Sequence, residues 1–164
     1  MAQPLPSWIT PQQFSVLDDI RAELEQRGIA WMAVGGLAGN LWGSTWPLHD
    51  IDIDVPSEAL SALADHWAPY ITAQGRYVDG EFDIELLRLR IRDVEADLSG
   101  ADYAYVFAPS GIRKALPNTL SQRVQRQLDG RTIPCQRLED LIEYKTAIGR
   151  KDDLRELSKL KDHP

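Results

Sequence analysis

Val34-Gly35-Gly36, twelve further residues, then His49-Asp50-Ile51-Asp52-Ile53-Asp54-Val55 is the stretch that decides the fold. The second half alternates acid with aliphatic, the pattern of a strand whose side chains leave opposite faces in turn. Asp50, Asp52 and Asp54 would share one face, about 6.6–7 Å apart along the strand. Ile51, Ile53 and Val55 would share the other. Three neighbouring carboxylates repel one another, so folding alone gives no reason to gather them. A divalent cation does, because hard ions such as Mg²⁺ take carboxylate oxygens and bridge to phosphates. The glycine pair follows the apolar run 29–34. Glycines there let the backbone approach a ligand closely and present free N–H groups.

Outward from this stretch, Thr10-Pro11 predicts a helix start, with Phe14, Leu17, Ile20 and Leu24 at helical spacing and Gly28 as the stop. Residues 29–34 predict a buried strand, 37–42 a short helix, 44–49 a loop and 50–55 the acidic strand. Pro56-Ser57-Glu58 opens a helix bearing Leu60, Leu63, Ala64 and Trp67. Residues 82–91 predict a strand, Arg92-Asp93 a turn, 94–99 its antiparallel partner and 103–107 a further strand. Asp129-Gly130 predicts a hairpin between 123–128 and 131–135. Helices are expected over 138–148 and 152–160, separated by Gly149. This order predicts an α+β (α/β) domain with a mixed sheet, flanking helices and a helical C-terminal tail.

The chain has 164 residues, 43% of them hydrophobic and 26% charged, and reads as a single domain, 1–164. Its core is expected over 29–108, with a hairpin plus C-terminal helices over 112–164. Its one cysteine, Cys135, excludes an internal disulfide and a cysteine-rich zinc site. No apolar run approaches the length of a membrane span and the N-terminus has no signal-peptide character, so the expectation is a cytoplasmic protein without a membrane partner. Net charge is -7, but unevenly placed: residues 1–112 carry 6 Lys/Arg against 17 Asp/Glu, and 113–164 carry 12 against 8. Such acidity disfavours generic nucleic-acid binding.

The glycine pair and the acid–hydrophobic–acid–hydrophobic run together resemble the signature of the nucleotidyltransferase superfamily, with its polymerase-β-like fold. Gly35-Gly36-Leu37-Ala38, Leu41-Trp42-Gly43 and the aspartate run look like lincosamide and aminoglycoside nucleotidyltransferases. They are also similar to the minimal nucleotidyltransferases of bacterial toxin–antitoxin systems. Residues 133–135, 138–145 and 149–152 share that look. The resemblance implies transfer of a nucleoside monophosphate, AMP being expected, from an NTP such as ATP to an acceptor hydroxyl, with Mg²⁺ as cofactor and pyrophosphate released.

By position the resemblance makes Asp50 and Asp52 metal ligands and Gly35-Gly36 the phosphate-facing turn. Asp54 would support them. A third carboxylate from a neighbouring strand completes the family's set. Asp97 in Val94-Glu95-Ala96-Asp97-Leu98 is the expected one, catalytic and metal-binding, ahead of Glu95, Glu85 and Asp83. Lys145 is the expected nucleotide-binding cation, with Arg150 and Lys151 nearby. Trp46 could stack on a base, and His49 lies beside the motif. The loop Ser44-Thr45-Trp46-Pro47-Leu48 lacks the arginine that the family often has there. The acceptor, whether small molecule, RNA or protein, is not specified by the sequence. A homodimer or a partner protein could complete its pocket. An alternative is a toxin–antitoxin component of this fold that acts mainly by binding a partner, and a third is a retired enzyme fold.

Overall fold

A computed structural model describes residues 4–160. The first helix, α1 (Pro11–Gln26), starts as its sequence predicts. The Thr10 hydroxyl accepts from the Gln13 N–H at 3.1 Å, and the Gln13 side chain accepts from the Thr10 N–H at 2.9 Å. Val16, Leu17, Ile20 and Leu24 recur at helical spacing and are buried. Then follow β1 (Met32–Ala33), α2 (Gly35–Leu41), β2 (Ile51–Val55), α3 (Leu60–His66), β3 (Ile71–Val78), β4 (Phe82–Ile91) and β5 (Val94–Phe107). The chain ends in β6 (Arg113–Ala115), β7 (Val124–Leu128), β8 (Arg131–Cys135), α4 (Leu138–Ile148) and α5 (Lys151–Leu157).

The strands form one mixed sheet of eight, in the order β3-β4-β5-β2-β1-β8-β7, with β6 also pairing with β5. β2 is central: it runs parallel to β5 and antiparallel to β1. The parallel pairing of β8 with β1 brings the C-terminal hairpin into the same sheet. The mixed α+β architecture expected from the element order is therefore present.

Alternation along β2 sorts its side chains as expected. Ile51, Ile53 and Val55 are fully buried, in one cluster with Leu17, Ile20 and Leu24 of α1, Leu63 of α3, and Leu87, Leu89 and Leu98 of β4 and β5. Asp52 and Asp54 leave from the other face and are half-buried. Both predicted two-residue turns form with left-handed backbone, at Arg92 and Asp93 (φ 47° and 63°) and at Asp129 and Gly130 (φ 47° and 74°). Positive φ at both central residues matches the twist of the strands they join.

Four strands differ from expectation. β1 is only two residues long, Met32–Ala33, and α2 takes both glycines as its first residues, beginning two residues earlier than expected. β5 is one strand where two were expected, with a register irregularity opposite Ile84–Leu86 around Gly100. β3 was not expected: its pattern is mostly exposed, as suits an edge strand with little apolar burial to mark it. β6, at three exposed residues, is equally silent in sequence.

Truncating the sheet centre should therefore be costly. Ile53→Ala is expected to lower unfolding free energy by about 2–5 kcal/mol in a denaturant titration, whereas Val78→Ala on the exposed edge should stay within about 0.5 kcal/mol.

Candidate active site

The glycine turn is folded onto the middle aspartate. Val34 is extended and its N–H donates to the Asp52 carbonyl at 3.0 Å. Gly35 then has φ +57°, a left-handed conformation that a side chain resists, and an added Cβ would lie 3.0 Å from Asp52 Oδ2. The Gly36 N–H donates to the Asp52 carboxylate. Glycine is thus required here by both conformation and space.

The sheet register places Asp97 level with Asp52. Asp52 pairs with Asp97 across the parallel β2–β5 edge, and Asp97 pairs with Arg88 across the antiparallel β4–β5 edge. The row Asp52–Asp97–Arg88 thus runs over three strands on one face. Arg88 grips Asp97 with two bonds, Nε to Oδ1 at 2.8 Å and Nη2 to Oδ2 at 3.0 Å. One pair further along, Glu95 hydrogen-bonds with Asp50.

Three of these carboxyl groups, Asp52, Asp54 and Glu95, resist ionisation. Burial first, then the charges of Asp97, Asp50 and Asp54, raise Asp52 well above the usual carboxylate range, against the pull of the Gly36 N–H. Burial lifts Asp54 to about 7. Burial, then the hydrogen bond with Asp50, raises Glu95. On the facing helix α4, burial and then the charge of Asp52 push the Tyr144 phenol up. The cluster is short of positive charge. A hard divalent cation would supply it, so the donor set fits Mg²⁺. Among the described residues, however, no group of three or more His, Cys, Asp or Glu side chains already forms a cation cage.

Two cavities meet at this cluster. One, of about 340 Å³, is lined by the glycine turn, Asp54, Arg88, Asp97 and Tyr144 among others. The second, of about 690 Å³, runs past Ser44, Trp46 and His49. Gly36, Asp50, Asp52, Lys145, Arg150 and Asp153 border both. Lys145 is buried and pairs with Asp153 at 3.0 Å. Arg150 donates through Nη2 to Glu81 at 2.9 Å, pairs through Nε with the same carboxylate, and lies 5.6 Å over the Phe82 ring. Phe82 stacks on Tyr144 with centroids 6.4 Å apart. The tip of the β3–β4 hairpin is thereby strapped to the helical tail across the first cavity.

The structure thus gathers Gly35, Gly36, Asp50, Asp52, Asp97 and Lys145, with Asp54 on the same cavity wall. Trp46 and His49 border the second cavity. Two alternatives for the third carboxylate lie elsewhere. Asp83 is buried in a cage of Arg76, Arg113 and the Tyr103 hydroxyl, and these donors, Arg76 foremost, hold it well below the usual range. The Glu85 carboxylate lies beside Gly100, away from both cavities. Sequence reasoning missed Arg88, Tyr77, Asp79 and Glu81. The first was within reach. A two-residue turn at Arg92-Asp93 pairs Ile91 with Val94, and counting back along both strands puts Arg88 opposite Asp97.

Two consequences can be measured. Gly35→Ala should cost about 1–2 kcal/mol in thermal or chemical unfolding through the left-handed backbone alone, with further loss from contact with Asp52. Asp54→Asn should stabilise the metal-free protein. A carboxyl raised from 3.8 to about 7 keeps in the folded state a proton that the unfolded chain has lost, so stability falls as pH rises through that window. The variant lacks this fall. Its gain is expected to be small near pH 4 and to reach about 4 kcal/mol above pH 7, read from urea titrations across pH.

No family model and no curated protein matches the sequence. Solved structures do match. A Thermotoga maritima protein assigned to the nucleotidyltransferases aligns over 92% of this chain and 93% of its own, with TM-score 0.72 and 20% identity. The lincosamide antibiotic adenylyltransferase LnuA, solved with lincomycin, aligns over 94% and 98%, with TM-score 0.59 and 15% identity. The antibiotic-resistance factor ANT(2'')-Ia aligns over 92% and 83%, with TM-score 0.60 and 17% identity. The chain has the nucleotidyltransferase fold.

Proposed function

We propose that this protein is a Mg²⁺-dependent nucleotidyltransferase that moves a nucleoside monophosphate from an NTP to an acceptor hydroxyl and releases pyrophosphate. The observation that carries the reading is the row of Asp52 and Asp97 on adjacent strands, beside Asp50 and under the Gly35-Gly36 turn, in this fold. AMP as the transferred group is supported by similar structures, one an adenylyltransferase and another, ANT(2'')-Ia, solved with adenylyl-2''-tobramycin.

In this reading Asp50 and Asp52 would hold the metal, which when bound would neutralise phosphate charge and orient the triphosphate. The chain's own groups do the rest. The glycine turn faces the phosphates with its backbone N–H groups. Lys145 and Arg150 exchange their carboxylate partners, Asp153 and Glu81, for phosphate oxygens. Asp97 stands at the acceptor side. Two cavities meeting at one carboxylate cluster suit a reaction with two substrates, donor and acceptor. The loop before the aspartates has no arginine, and Arg150 supplies a guanidinium from the helical tail instead. The acceptor is a hydroxyl compound. Among the described residues, no helix is long and apolar enough to cross a membrane.

The test is a thermal-shift series with ATP, GTP, CTP and UTP, each with and without Mg²⁺. A nucleotide at 100 times its dissociation constant should stabilise by about 2.7 kcal/mol, or roughly 5–10 °C, only with Mg²⁺. Asp52→Asn should abolish the shift, and Asp93→Asn, in an exposed turn, should keep it. A shift indifferent to Mg²⁺ and to Asp52 would refute the site.

A further inference from the structure

Asp97 differs from the other carboxylates of the cluster in having both oxygens committed. The paired bonds from Arg88 Nε and Nη2, at 2.8 and 3.0 Å, form a fork-to-fork contact. That geometry takes the lone pairs on the side where the two oxygens face a common partner, which are also those a metal ion prefers. Arg88 is itself held. It sits opposite Asp97 in the sheet register, 5.3 Å over the Tyr77 ring and 3.6 Å from Glu95 Oε1. The Tyr77 hydroxyl in turn reaches Asp79 at the hairpin tip.

We propose that Arg88 is a positioning residue that keeps Asp97 out of the metal's ligand set and reserves it for the acceptor hydroxyl. The inference rests on the nucleotidyltransferase reading and refines it: Asp50 and Asp52 bind the ion, and Asp97 does not. To take Asp97, an ion must break two charge-assisted bonds and displace a guanidinium packed on an aromatic ring. With the fork in place, Asp97 keeps one outward lone pair on each oxygen. As the acceptor oxygen bonds to the α-phosphorus, its proton passes to Asp97. The bond from that phosphorus to the bridging oxygen breaks, and pyrophosphate leaves with the electron pair. The same fork fixes the carboxylate's orientation, so losing Arg88 affects turnover and metal selection together.

Mn²⁺ binding, followed by the electron paramagnetic resonance of the free ion without nucleotide, separates the outcomes. Wild type should bind Mn²⁺, and Asp52→Asn should not. If wild type fails to bind, or Asp52→Asn binds equally well, the metal site is wrong and the role of Arg88 falls with it. Given a sound site, Arg88→Gln frees Asp97 to join the ion and should tighten Mn²⁺ binding by roughly fivefold or more. Supporting residues around metal sites commonly change affinity by about 10–100-fold. The double variant Arg88→Gln/Asp97→Asn removes the pair without changing net charge and should bind Mn²⁺ within about twofold of wild type. A loss of about tenfold in the double variant would show that Asp97 is a ligand already and would overturn the proposal, as would Arg88→Gln binding no more tightly than wild type. Arg88→Lys keeps the charge and loses the fork. If the glutamine variant does not fold, the lysine variant should still bind Mn²⁺ more tightly than wild type, and unchanged binding would overturn the proposal. In transfer assays, Arg88→Gln should lower kcat and leave KM for the nucleotide unchanged.

Discussion

The crowding of carboxyl groups around Asp52 is the constraint around which this structure is arranged. The carboxylate lies on the central strand, beneath a glycine turn that donates one N–H to it, and beside Asp50, Asp54 and Asp97. Folding gains nothing from bringing these groups together. The protein tolerates them because the opposite face of the same strand supplies Ile51, Ile53 and Val55 to the core, fully buried under α1 and α3. One strand thus turns its odd-numbered residues to the core and its even-numbered ones to the cavity.

The neighbouring elements follow from that division. The parallel β2–β5 edge puts Asp97 level with Asp52, and the tight turn at Arg92-Asp93 puts Arg88 level with Asp97. Around the first cavity, pairs of opposite charge close a ring: Arg88 with Asp97, Arg150 with Glu81, Lys145 with Asp153. The Arg150 and Lys145 pairings keep a cation near the cluster in a form that phosphate oxygens could take over from the carboxylate, whereas Arg88 is fixed on Asp97 by two bonds. The Asp83 cage is of another kind. There two arginines and a tyrosine surround one buried carboxylate away from both cavities, and its role is to tie β3, β4, β5 and β6 together.

Much of this was legible in the sequence because the deciding pattern is local. Alternation over 50–55, the two glycines and the two hairpin turns depend on neighbours a few residues away, and these specify the central strand, the turn and the pairing of β4 with β5. Asp97 was preferred over Asp83 and Glu85 because Val94–Leu98 follows such a turn and resembles the third motif of the antibiotic nucleotidyltransferases. β3 was not legible, since an edge strand with mostly exposed side chains leaves no hydrophobic period. With β3 missing, Tyr77, Asp79, Glu81 and the strap to Arg150 were out of sight. The bonds of Lys145 to Asp153 and of Arg150 to Glu81 depend on how the helical tail folds back over the sheet, which local periodicity does not encode.

The central claim is that the carboxylates of β2 exist to hold a divalent cation against the glycine turn. Anomalous diffraction from crystals grown with Mn²⁺ tests it most directly. A peak within coordination distance of Asp50 and Asp52 oxygens, facing Gly35-Gly36, is the result this account requires. No peak there, or peaks only at other surface carboxylates, would contradict it.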